Sequence, residues 1–486
     1  MKSKKDDVAP AADLDSIERR RRHPTGLWYL AGTEFAERIS FHGMQALLVL
    51  YMTGYLLVSP HTDDILGFSY YRDLVDSVFG QLSITALAVQ TFGLYVGFVY
   101  SAPLVGGWIG DRFVSRRTAI IAGCLFIAAG QFALASDRLF LIALGLLVTG
   151  AGLLRGNLSI QVKALYEDGD SREADAFQIY YVAINIGAFA APLLTGTLAA
   201  IYGWHFGFVI AGVSVLFGLG IYLAGCRHLT PEHRVQRGTR PPLEAEEKKR
   251  LLALFIVCVP LAATWVSQAQ VWNTYNLWAR DYVDLDLYGL QVPVPWLQAF
   301  NGIIPIVVLP LLVALWRYQA RKGREPDQLS KLALGAFFTA LGTLWLALAP
   351  LGGSPDGRAP LVWAFIFHVL IGIGWLYTTP ITVALFVAKS PASYRGTMLG
   401  VANLVVFVGS VLGGWIGGFY EEISPRDFWL LHGAIAVVGA IFLVLSSPGL
   451  RRLLNGSAPK RNEVSPSMLP PDEVSWEGKA EPVKPT

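Results

Sequence analysis

Gly106-Gly107-Trp108-Ile109-Gly110-Asp111-Arg112-Phe113-Val114-Ser115-Arg116-Arg117 stands between two long apolar runs and packs four charges into its last seven residues. Glycines on the preceding run let a neighbouring backbone approach closely. Asp111 can cap a helix end and pair with an arginine, which would hold one face of the molecule shut. The three arginines can equally anchor a short loop on the side of a membrane where positive charge collects. Either way the segment reads as a tight turn between two membrane-crossing helices.

The rest of the chain has the matching composition. Of 486 residues, 53% are apolar and 15% charged, where soluble domains carry about 25% charged residues. The mean hydropathy of +0.45 agrees. With 49 Gly and 14 Trp, this is a polytopic α-helical membrane protein. A soluble enzyme, a disulfide-rich secreted domain and a nucleic-acid binder are excluded. The formal net charge of +3 is small, and the basic residues form short clusters at helix ends, so they report orientation. Cys124, Cys226 and Cys258 have no metal or redox spacing and read as packing residues. No cofactor and no metal is expected.

A spanning helix needs about 20 mostly apolar residues. Twelve runs qualify: 27–57, 84–108, 118–135, 139–165, 174–202, 205–225, 251–279, 295–316, 331–351, 359–387, 394–418 and 425–448. Basic segments fall at alternate ends of these runs, so both termini are predicted to be cytoplasmic. Residues 1–26 are polar, have no signal-peptide pattern, and read as a cytoplasmic tail. Residues 449–486, rich in Pro, Ser and charge, read as a second, disordered tail. The stretch 226–250, with seven Lys/Arg and Pro241-Pro242, splits the chain into a bundle at 27–225 and another at 251–448. Two six-helix bundles around a central cavity are the arrangement of transporters whose substrate site lies near the midplane; a bundle with no transport role is the other reading of the same count.

Glu34, Glu37 and Arg38 lie at i, i+3 and i+4 and so share one helix face. Each costs about 2.5–3.5 kcal/mol at the centre of a spanning helix. Two to three turns inside the first run, they are expected to pair and face an internal cavity, although Glu34 or Arg38 at its edge can also snorkel to the interface. Two carboxylates beside one guanidinium suit a proton carrier, because losing the arginine raises a carboxylate pKa and regaining it lowers the pKa again. Arg155, between Gly152 and Asn157, is a further intramembrane charge that needs a carboxylate. A purely structural pair with Glu34 or Glu37 and a contact to substrate both fit. His42, His205 and His368 stand apart in the sequence. His205, at a helix boundary, reads as an anchor, and His42, one turn past Arg38, as a candidate proton-path member.

The Gly107–Arg117 segment resembles the G-x-x-x-D-R-x-x-x-R-R loop of the major facilitator superfamily. Glu34-x-x-Glu37-Arg38, the run Tyr180-Tyr181 to Asn185-x-Gly187, Gly203-Trp204-His205, Gly323-Arg324-Glu325-Pro326 and Arg395-Gly396-Thr397-Met398 are similar to the proton-dependent oligopeptide transporter family within it, over residues 27–448. The resemblance implies twelve helices in the superfamily fold and a proton-coupled symporter, not an enzyme, importing di- or tripeptides by alternating access. It also implies a plasma-membrane location, a functional monomer, and protons, a peptide and the bilayer as partners. Proton coupling would fall to Glu34, Glu37 and Arg38. Phe41, His42, Gln45, Tyr100, Arg155, Asn185, Gln270, Asn301 and Trp375 would bind substrate, and Gly107, Asp111, Arg112, Arg116 and Arg117 would form the gating loop.

The chain also departs from that family. Phe41-His42 replaces its tyrosine pair, and Gln45 its usual basic residue. Run 251–279 lacks the usual Glu and keeps Gln270 and Asn273. Trp375, between Gly374 and Leu376, stands where the family places the acid that grips a peptide's amino terminus. An anionic or carboxylate-bearing substrate without a free amine is therefore the alternative on the same fold. A membrane sensor that has lost transport is the alternative of another class. The 25-residue connection is too short for the two extra helices some bacterial members insert.

Overall fold

The computed structural model describes residues 22–167, 169–230, 243–350 and 357–455. Most of the 1–26 segment, the middle of the 226–250 connection and the chain beyond Asn455 lie outside the described residues. Among those described, twelve helices have 18 residues or more. They are α1 Thr25–Tyr51, α3 Ile84–Arg112, α4 Arg116–Ala133, α5 Phe140–Lys163, α6 Arg172–Tyr202, α7 Trp204–Gly225, α8 Ala245–Gln268, α11 Phe300–Arg321, α12 Gln328–Ala347, α13 Leu361–Lys389, α14 Arg395–Gly417 and α15 Pro425–Asn455. Ten are long and apolar enough to cross a membrane. The other two have spanning length but carry charge: α1 holds Glu34, Glu37 and Arg38, and α4 opens on Arg116-Arg117.

Local chemistry sets the ends. The side chains of Ser83, Ser115 and Asp327 each accept a backbone N–H from the first turn of α3, α4 and α12 respectively. A reciprocal Glu244–Glu247 capping box starts α8 at Ala245, six residues before the apolar run begins. Helix α15 continues through Pro448 to Asn455, past the expected end at 448. Buried Leu450 and Leu454 and an Arg451–Asp327 ion pair at 2.9 Å hold its last turns.

Four features depart from the expected plain spans and loops. A short helix, α2 Phe68–Phe79, occupies the loop after α1. Tyr71 Oη and Thr91 Oγ1 share a hydrogen bond of 2.7 Å, and Arg72 Nη2 donates to the Leu82 carbonyl, which fixes α2 against the start of α3. A two-residue hairpin, β1 Asp286–Leu287 with β2 Leu290–Gln291, follows the seventh span. That span is not one helix. After Gln268 it tightens into a 3₁₀ turn at Ala269–Trp272, breaks at Asn273 (φ −110°, ψ −108°), and resumes as α9 Thr274–Tyr282. A short α10, Val294–Leu297, leads into α11.

Across the two halves, α3 packs along α14 and α6 along α11. Small residues make these crossings close. A Cβ on Gly302 of α11 would lie 2.2 Å from the Phe189 nitrogen of α6. Within the first half, a Cβ on Gly106 would lie 2.0 Å from the Gly152 carbonyl oxygen of α5.

Candidate functional site

Four charged side chains from two helices meet inside the first half. Arg38 Nε is 2.9 Å from Glu34 Oε1, and Arg38 Nη2 is 2.7 Å from Glu37 Oε2. Arg155 of α5 donates through Nε (3.2 Å) and Nη2 (3.1 Å) to Glu37 Oε1. Tyr180 of α6 donates to Glu34 Oε2 at 2.5 Å. Glu34, Glu37 and Arg38 are all buried. Glu37 therefore serves two guanidiniums, one per oxygen, while Glu34 has one guanidinium and one hydroxyl. The four charges sum to zero, which is how a buried cluster of this size is tolerated. The Phe41 ring lies between the arginines, 3.8 Å from Arg155 Cζ and 5.5 Å from Arg38 Cζ. Tyr100 is the second ring near Arg155, at 5.9 Å.

Two spaces flank this cluster. One is a central cavity of about 160 Å³ between the halves. The first half lines it with Arg38, His42, Gln45, Tyr100 and Asn185, the second with Asn301 and Trp375. The other is a vestibule of about 1120 Å³ that reaches Gly107 and the start of α14, and so opens at the end of the bundle that carries the basic loops. Arg38 and Tyr100 line both spaces, and Arg155 lines the vestibule. The ion cluster thus forms part of the wall between cavity and mouth.

The opposite end is closed by contacts between the halves. His42 stacks on Trp272 with ring centroids 5.2 Å apart. Asn273 Nδ2 donates to the Val89 carbonyl at 3.1 Å. Farther out, Trp296 Nε1 donates to Thr197 Oγ1 (3.0 Å), Arg280 Nη1 to Thr53 Oγ1 (3.3 Å), and Ser83 Oγ to Glu421 (2.8 Å).

Most residues singled out from the sequence converge here. Trp375 faces the cavity with its ring 6.5 Å from Tyr181, nearly parallel to it. Gln270 does not line the cavity. Its Nε2 donates to the Val266 and Gly413 carbonyls and its Oε1 accepts from Thr274, so it ties the broken helix to α14. The residue that faces the cavity is Gln268, together with Trp265 and Trp272 from the same break and Ser410 from α14. Trp265 Nε1 donates to Ser410 Oγ at 3.1 Å. Trp265 and Gln268 end α8 just before the 3₁₀ turn, and Trp272 closes that turn; which face of the span points to the cavity follows from packing against α14, which hydropathy does not report. The cue in the sequence is the run Ser267 to Asn273, which puts polar residues on every face. His205 is an anchor: its Nε2 is 2.9 Å from Asp137, which also accepts from Tyr51. Of the loop residues, Gly107 lines the vestibule, Arg112 ends α3 and Arg116 begins α4. The side chains of Asp111 and Arg112 lie outside the described residues, and so does any pairing between them.

Comparison with known proteins agrees with this geometry. A sequence model described as Major Facilitator Superfamily matches residues 38–414. The chain is 25% identical to the peptide transporter YePEPT of Yersinia enterocolitica subsp. palearctica, over 90% of this chain and 96% of that one. It is 25% identical to a di-/tripeptide transporter of Lactococcus lactis subsp. lactis, over 88% and 96%. Among solved structures, a peptide transporter in complex with sulfate superposes with a TM-score of 0.77 at 25% identity, covering 89% of this chain and 96% of that one. A variant of a peptide transporter in complex with alafosfalin gives a TM-score of 0.75 at 26% identity, with the same coverage.

Proposed function

Because the chain belongs to the Major Facilitator Superfamily and is similar over most of its length to peptide transporters, we propose that it is a proton-dependent oligopeptide transporter, importing di- and tripeptides together with protons by alternating access. The observation that carries the mechanism is the single Glu37 carboxylate shared by Arg38 and Arg155 in the wall between cavity and vestibule. Protonating Glu37 cancels its charge, releases Arg155 and leaves Arg38 held by Glu34 alone. A substrate carboxylate then finds a partner in Arg38, which lines the cavity, and in Arg155 on the vestibule side. When the substrate leaves toward the vestibule, the guanidiniums return to Glu37 and drive the proton off. Glu34, with Tyr180 and Arg38, keeps the second acid of the pair in place. Phe41 spaces the two arginines, and His42, Gln45, Tyr100 and Asn185 line the path from the first half.

In this reading all twelve long helices span the membrane, both termini are cytoplasmic, and the basic end with the open vestibule faces the cytoplasm of a plasma membrane. The segments are a tail at 1–26, bundles at 27–225 and 251–448, a cytoplasmic connection at 226–250 whose last six residues already belong to α8, and a tail at 449–486 whose first seven residues extend α15. The transporter works as a monomer. The loop of Gly107, Asp111, Arg112, Arg116 and Arg117 closes the vestibule in the other half of the cycle.

A second reading of the substrate rests on one feature: no Asp or Glu is among the described residues lining the central cavity, and Trp375 stands there instead. A carboxylate-bearing molecule without a free amine suits that lining. Uptake of labelled dialanine into proteoliposomes, with and without an imposed inward proton gradient, tests the main reading. Concentrative uptake only with the gradient is expected. Gradient-independent equilibration removes proton coupling, and no uptake at all favours the second substrate or a sensor.

A further inference from the structure

Asn301 lines the cavity, but its amide is held from behind by residues that do not. Its Nδ2 donates to Gln298 Oε1 at 2.7 Å, and its Oδ1 lies 3.2 Å from His368 Nδ1. Gln298 Nε2 in turn lies 2.7 Å from the Val271 carbonyl and 2.5 Å from Asn276 Oδ1. Asn276 Nδ2 donates to the Trp272 carbonyl at 3.0 Å. Gln298, Asn276 and His368 are fully buried.

The two ends of an Asn or Gln amide are nearly the same shape, so their orientation follows from their partners. Here the chain of partners has one fixed end. The Val271 and Trp272 carbonyls, on the last two residues before the Asn273 break, accept from these side chains, and a carbonyl can only accept. Gln298 must therefore turn its nitrogen to Val271 and its oxygen to Asn301. Asn301 must turn its nitrogen to Gln298 and its oxygen to His368. His368, if neutral, must carry its proton on Nδ1, and its Nε2 has no hydrogen-bond partner among the described residues.

We infer that Gln298 and His368 are positioning residues that transmit the break in the seventh span to Asn301, fixing which end of its amide each partner holds and so which atoms remain for a ligand. Asn301 then offers the cavity one free N–H and one free carbonyl lone pair in a set arrangement. The effect on uptake rests on the peptide-symport reading above; the polarity itself does not.

Two measurements test this separately. In protein carrying ¹⁵N-labelled histidine, with the His368 signals identified by their loss in His368→Asn, the wild type is expected to show the proton on Nδ1. Gln298→Leu is expected to give a mixture of tautomers. A wild-type Nε2–H tautomer, or an unchanged tautomer in Gln298→Leu, overturns the inference whatever the substrate. In proteoliposomes, Gln298→Leu and His368→Leu should each raise the KM for dialanine roughly five- to tenfold, as loss of one buried hydrogen bond predicts, with maximal rate within about twofold. His368→Asn should restore the wild-type KM, because its Nδ2 falls where the imidazole Nδ1 sits. Equal KM in His368→Leu and His368→Asn overturns the inference even if Gln298→Leu fails to fold. A wild type that takes up no dipeptide refutes the transport reading and leaves the tautomer measurement standing.

Discussion

At the scale of the residue, the ionic cluster was the most legible part of the site. A charge in a spanning helix is expensive enough that Glu34, Glu37 and Arg38 were expected to pair, unless one snorkelled, and Arg155 to meet one of those carboxylates or the substrate; in the structure Arg38 pairs with both glutamates and Arg155 meets Glu37. Which carboxylate holds both arginines was not legible, because it depends on side-chain reach between α1 and α5. Glu37→Gln keeps the volume and cannot release a proton. Such a variant is expected to lose accumulation against a gradient, its internal-to-external ratio falling to one, while counterflow exchange persists; retained uphill uptake contradicts this role. Arg155→Ala strands one oxygen of Glu37 without a cation, whereas Arg155→Lys keeps the charge and loses the two-pronged contact. Uptake at matched expression should fall at least tenfold further in the alanine variant. Trp375→Glu should raise the preference for dialanine over its N-acetylated form, read by competition against labelled substrate. A wild type that already discriminates strongly for the free amine shows that another group binds it.

At the scale of the element, hydropathy and turn chemistry placed most ends of the long helices within five residues and missed the start of α8 by six and the end of α15 by seven, since each helix needs a continuous apolar run but its capped or charged ends can extend beyond that run. The break in the seventh span was invisible to that logic, because 251–279 is apolar enough to read as one rod. Its consequence is visible in two glutamines. Gln268, the last residue of α8, faces the cavity, and Gln270, about 200° around a helix from it, falls inside the 3₁₀ turn and holds the Gly413 carbonyl of α14. Helix α2 was likewise read as loop, being too short and too polar to resemble a span. Close packing is the other lesson of this scale. Adjacent glycines in the quoted segment behave oppositely: a Cβ on Gly106 collides with the α5 backbone, while one on Gly107 meets nothing within 4 Å. Gly106→Ala should therefore cost stability at or above the upper end of the about 1–3 kcal/mol range for overpacking, and Gly107→Ala should stay within about 0.5 kcal/mol. The midpoint of thermal unfolding in detergent measures both. Equal midpoints would mean that α3 and α5 can separate at no cost.

At the scale of the whole molecule, the zero charge of the buried quartet has an electrical consequence. The empty carrier, with both glutamates ionised, takes no net charge across as it reorients. Loaded with one proton and a zwitterionic dipeptide, it moves one positive charge inward, and the membrane potential adds about 2.3 kcal/mol per 100 mV to the driving force. Loaded with one proton and a monoanion that has no amine, it moves no charge at all. Current on solid-supported membranes therefore separates the two substrates that the Trp375-lined cavity allows. An inward current that saturates with dialanine and is absent with N-acetyl-dialanine is expected of the peptide carrier. Silent but proton-dependent uptake would identify a transporter that the voltage across its membrane neither drives nor restrains.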